Sequence, residues 1–187
     1  ENEDIIIKSP VKRIHKIKVD KIIKETYTDE EIEKMRRGCK NIRNLAILDL
    51  LISSGVRVGE LIRIDVNDLD LNNMTCKVFG KGNKEREVYF DSRTKLHLQE
   101  YLSIRTDNNS ALFVTNIRPY KRLGTRGVEL MLQKLAKQVG IIKKVYPHKF
   151  RRTLATRAID KGMPIEQVQH LLGHTKIDTT LHYAFVN

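Results

Sequence analysis

The chain has no tryptophan, and aromatic residues make up only 6% of its 187 positions. It has four prolines and ten glycines, too few for a collagen-like or low-complexity segment. It has two cysteines, Cys39 and Cys76, far apart in sequence. That excludes a disulfide framework and a cysteine-based metal site, and both are read as free thiols of a cytoplasmic protein. No apolar run approaches the ~20 residues that a membrane helix needs. The opening Glu-Asn-Glu-Asp has no signal-peptide pattern, and no lipidation motif stands at either end, so no membrane partner is expected. The sequence does not begin with Met and is read as a piece of a longer protein.

Positive charge is what the chain has in excess. Thirty-five Lys and Arg against 23 Asp and Glu give a net charge of +12, and the isoelectric point is near 9.7. Such a balance points to a polyanion, nucleic acid before an acidic membrane, and says nothing about fold. With 40% hydrophobic and 31% charged residues, the chain can build one compact domain plus an arm.

Residues 1–24 mix apolar and basic residues without a sustained period, as in a basic linker or arm. Residues 25–187 read as one domain. Thr28 with Glu31 forms a capping box before a helix that ends near Gly38. Leu45, Leu48, Leu51 and Ile52 recur at helical spacing over 41–54, and Gly55 stops that helix. A short helix or turn covers 58–64. The period then changes: 75–79 and 85–90 are strand-like, joined at Gly80-Lys81-Gly82-Asn83. Helices follow at about 93–105, 125–139, 147–161, 164–172 and 176–185, with Gly140, Gly162 and Gly173 as stops. The fold class is mostly α with a small antiparallel β-sheet (α+β).

Four local patterns carry candidate chemistry. Arg57 sits in Ser54-Gly55-Val56-Arg57-Val58-Gly59-Glu60-Leu61 at a helix-to-helix turn, and Lys81 stands at the hairpin tip in Gly80-Lys81-Gly82-Asn83-Lys84-Glu85-Arg86. His148 and Arg151 share a helix face in His148-Lys149-Phe150-Arg151, a face expected to lie opposite Phe150, Leu154 and Ala158. Leu172-Gly173-His174 is followed nine residues after its histidine by Tyr183. Taken singly, each has an ordinary reading as a cap, a turn or core packing. The Gly-Lys-Gly stretch joins two strands, where a nucleotide-binding loop joins a strand to a helix. His170 and His174 have helical spacing but no third zinc ligand, so no metal and no cofactor is expected.

The order and spacing of all these motifs together resemble the tyrosine recombinases: phage integrases, conjugative-transposon integrases and Xer-type resolvases. The matching motifs are an Arg box, a β-hairpin Lys, an H-x-x-R box, an L-G-H box and a Tyr nine residues on, from about Thr28 to the C-terminus. The position after Arg151 is Arg152, where many relatives have His. The resemblance implies the recombinase catalytic-domain fold, with Arg57, Lys81, His148, Arg151 and His174 around the nucleophile Tyr183. It implies cleavage and rejoining of DNA strands through a 3′-phosphotyrosine, on double-stranded DNA, with the full-length protein a homo-tetramer and this chain alone a monomer. It also implies an N-terminal DNA-clamping domain before residues 1–24. Lys84, Arg86, Arg122, Arg126 and Lys149 are candidate DNA contacts, for each of which a solvated-surface role is equally open. The other readings are a type IB topoisomerase, a DNA-binding regulator that breaks no strand, and a basic domain whose partner is a protein.

Overall fold

The computed structural model describes residues 25–173. The arm at 1–24, the helix expected at 176–185, His174 and Tyr183 lie outside the described residues.

Helix α1 (Asp29–Gly38) begins where Thr28 Oγ1 accepts from the Glu31 amide at 3.2 Å and Glu31 returns a carboxylate to the Thr28 amide at 2.9 Å. This satisfies two amides that a helix start leaves orphaned. Helix α2 (Ile42–Ser54) is capped by the Asn41 side chain and stopped by Gly55 at φ 60°. It is the central element, with Ala46, Ile47, Leu48, Leu50 and Leu51 fully buried. Each Ile or Leu among them contributes about 1.5–3 kcal/mol on burial. Helix α4 (Ser92–Ser103) packs on α2 from one side and α6 (Pro147–Asp160) from another. Between them come the short α3 (Val58–Leu61) and, later, α5 (Thr125–Gln138), which meets α1 and α3. Helix α7 (Ile165–Leu172) ends at Gly173, in the left-handed region at φ 62°.

The sheet has three antiparallel strands in the order β1 (Leu69–Asp70), β2 (Thr75–Phe79) and β3 (Glu85–Tyr89). The two-residue β1 was not expected from the sequence. In the β2–β3 register Cys76 faces Val88 and Val78 faces Arg86. Cys76, Val78 and Val88 are buried, so strand alternation puts Arg86 on the same inner face. Burial pushes the Cys76 thiol up to about 12, and both cysteines are free.

One continuous core joins α1, α2, α4, α5 and the sheet, and Ala155, Val168 and Leu172 form a small second cluster between α6 and α7. Among the described residues no helix is long and apolar enough to cross a membrane. The mostly helical class with a small antiparallel sheet is the architecture observed.

Candidate active site

Gly55 permits the turn that delivers Arg57. A side chain there would be strained at φ 60°, and its Cβ would lie 2.9 Å from Leu154 Cδ2 and 3.2 Å from Leu172 Cδ2. The chain leaves α2, passes through this glycine and enters α3 with Arg57 as the N-cap. Glu60, one turn on, accepts the Arg57 amide at 3.0 Å on Oε2 and the Arg57 guanidinium at 2.8 Å on Oε1. Arg57 Nη2 reaches the Gly173 carbonyl at 3.4 Å.

Arg151, on α6, is 1% exposed. A buried guanidinium needs acceptors, and it donates to the Gly55 carbonyl at 2.8 Å and to the Leu172 carbonyl. The two arginines therefore meet at the C-terminal end of α7, whose last carbonyls carry partial negative charge. His148 stands one turn before Arg151 and is exposed. The expectation that this face lies opposite Leu154 does not hold. Leu154 and Arg151 both lie against Gly55, because a three-residue step turns a helix by only about 60° from a full circle.

Glu60 is 2% exposed and binds a second cation, Arg86 Nη2, at 2.8 Å. Burial raises its carboxyl, but hydrogen bonds from Arg86 and Arg57 and the Arg86 charge outweigh this and hold it below the ordinary carboxylate range. The arginine motif contains Glu60 but by itself assigns it no role. Its three-residue distance from Arg57 was the available signal. Lys81 lies at the hairpin tip, in a single 3₁₀ turn (Lys81–Asn83) with Gly82 at φ 74° and Asn83 at φ 56°. The Gly80 amide and Lys84 carbonyl close that turn at 2.9 Å. Arg63 holds the outer end of β2, donating to the carbonyls of Gly59 at 2.8 Å and Phe79 at 2.7 Å.

The candidate DNA contacts divide. Lys84 and Arg126 are exposed. Arg122 is exposed but tied to the Ile62 and Ile64 carbonyls and to Asp65. Arg86 faces inward onto Glu60. Lys149 is a correction: it is 3% exposed, with Nζ 3.2 Å from Glu25 and 4.8 Å from the Tyr27 ring centre, so it anchors the start of the domain and does not present a free cation. Tyr27 itself packs against Phe150 in a tilted ring pair with centres 4.6 Å apart. Among the described residues no group of three or more His, Cys, Asp or Glu could hold a metal ion.

A mostly helical domain with a three-stranded antiparallel sheet defines a fold that a known class of proteins shares. The sequence matches the Phage integrase family over residues 12–187, and the chain belongs to that family. It is 36% identical over 194 aligned positions to tyrosine recombinase XerC of Leptospira interrogans, covering 99% of this chain and 62% of that protein. It is 32% identical to tyrosine recombinase XerC of Staphylococcus carnosus, with 99% and 64% covered. The chain thus spans less than two thirds of these relatives' length. In structure it is similar to the XerA recombinase, with a TM-score of 0.80 at 33% identity over 88% of this chain and 61% of that one. The XerH recombinase bound to its difH substrate has the same fold, with a TM-score of 0.73 at 22% identity, over 85% of this chain and 49% of that one.

Proposed function

We propose that the protein is a site-specific DNA recombinase or integrase that cleaves and rejoins strands through a 3′-phosphotyrosine intermediate. The observation that carries this reading is the convergence of Arg57 and Arg151 on the Gly173 and Leu172 carbonyls, immediately before His174. Phosphoryl transfer asks mostly for positioning and for positive charge at the non-bridging oxygens. Guanidiniums grip two oxygens at once and stay charged at any working pH, so no divalent ion is required.

The Tyr183 oxygen attacks phosphorus, giving its proton to His148, and the bond from phosphorus to the 5′ oxygen breaks. A free Tyr has a pKa of about 10, and concentrated positive charge lowers it. Lys81 gives a proton to the departing 5′ oxygen, and His174 hydrogen-bonds the phosphate. The phosphotyrosine keeps the energy of the broken bond, so a 5′ hydroxyl can reverse the step without ATP. Double-stranded DNA is the partner, held in part by Lys84 and Arg126. The full-length protein acts in the cytoplasm as a homo-tetramer on two duplexes, residues 1–24 lead to a further DNA-binding domain, and the present chain alone is a monomer.

Incubation with a nicked duplex, from which the released piece diffuses away, followed by a denaturing gel, tests the reading. A DNA-shifted protein band is expected, and it disappears in Tyr183→Phe and in Arg151→Ala. Salt-dependent binding with no covalent band, in this chain and in the full-length parent on its own site, would make the protein a binding regulator.

A further inference from the structure

Arg86 is a candidate DNA contact by sequence, yet its register opposite Val78 places it on the inner face of the sheet. Its Nη2 takes one oxygen of Glu60 at 2.8 Å, and Arg57 Nη1 takes the other at the same distance. The two arginines on this carboxylate are not equivalent. The Arg57 side chain is 37% exposed and the Arg86 side chain 17%, so Arg57 keeps an open side for a phosphate while Arg86 is closed in. Arg86 also backs the end of α7: a Cβ on Gly173 would lie 2.7 Å from Arg86 Cδ.

We propose that Arg86 is a positioning residue for strand cleavage. By holding the second oxygen of Glu60 it offsets that carboxylate and leaves the Arg57 guanidinium available to the scissile phosphate. The proposal rests on the strand-cleavage reading above. Glu60 fixes the direction of Arg57 through the amide and guanidinium bonds, but a buried carboxylate beside one arginine makes a neutral pair. Such a pair attracts a phosphate poorly. With Arg86 the group of three has two positive charges and one negative, and the excess charge sits on the exposed partner. Without Arg86, Oε2 keeps only the Arg57 amide and competes with the phosphate for the Arg57 fork, which prefers a bidentate carboxylate. In the wild type Arg86 and Arg57 together hold the Glu60 carboxyl below the ordinary carboxylate range. Arg86 also stands on the hairpin whose tip carries Lys81, so the bond to Glu60 latches that hairpin to the turn bearing Arg57.

The test uses the full chain and a nicked duplex recovered from a random-sequence pool as covalent complex with the wild-type protein. Single-turnover rates at saturating DNA and binding constants are measured for Arg86→Met, Arg86→Lys and the double variant Glu60→Gln/Arg86→Met. Arg86→Met is expected to slow covalent complex formation about tenfold or more while binding stays within about twofold, since one inward cation contributes little to phosphate contacts. Arg86→Lys, which keeps the charge, is expected to fall between. The double variant removes the carboxylate's charge but keeps its amide acceptor, and recovers most of the lost rate. A role confined to folding predicts a double variant no faster than the single one, and that result overturns the proposal. So does Arg86→Met at the wild-type rate. If Arg86→Met does not fold, the double variant and Arg86→Lys decide by the same criteria. A wild-type chain that captures no duplex from the pool, with a full-length parent equally silent on its own site, overturns the cleavage reading itself, and the proposal with it.

Discussion

Arg57, the N-cap of α3, and Arg151, on α6, donate to adjacent carbonyls at the end of α7: Arg57 Nη2 to Gly173 at 3.4 Å and Arg151 to Leu172. One buried and one half-exposed guanidinium thereby share the same helix terminus. They hold the last carbonyls of α7 in place.

Arg151→Lys separates charge from geometry. A lysine keeps the cation but not the fork that spans the Gly55 and Leu172 carbonyls. Leaving one buried carbonyl unmet costs about 1–3 kcal/mol. Chemical denaturation is expected to show a stability loss in that range, and cleavage is expected to fall with it. Unchanged stability would mean that the fork is not structural.

Glu60 should make stability depend on acid. Its folded pKa lies below the ordinary 4.5. A group depressed on folding contributes stability that is complete above its unfolded value and is lost as pH falls through the folded one. Denaturation of wild type and Glu60→Gln across pH should therefore show a gap that is constant near neutrality and closes below about 4.5. A gap that widens on acidification would reverse the assigned sign.

The fate of the lysines can be read from salt. Lys84→Ala and Arg126→Ala remove exposed cations, and each is expected to lower the slope of log K against log salt by about one unit. Lys149→Met is expected to leave that slope unchanged and to lower thermal stability, because its ammonium sits on Glu25 and Tyr27. Titrations at several salt concentrations distinguish the two behaviours.

Much of this was legible in the sequence because local chemistry decided it. The Thr28–Glu31 box, the stop at Gly55 and the hairpin around Gly82 each rest on a few adjacent residues. What failed needed distance. Two residues of β1 carry no period, and Leu69 pairs with Cys76 only once the sheet exists. Lys149 looks like any surface lysine until Glu25, 124 residues away, and the nearby Tyr27 fold over it. The sequence brought Arg57 and Glu60 together in one motif, but the bond from Glu60 to Arg86 crosses 26 residues and follows from the register of β2 and β3.

The central claim is that Tyr183 becomes covalently joined to DNA. The most direct measurement digests the trapped protein–DNA complex with nuclease and protease and locates the nucleotide-bearing peptide by mass spectrometry. A 3′-phosphate ester on Tyr183 is the predicted result. An adduct on another side chain, or none from a full-length parent incubated with its own site, would contradict it.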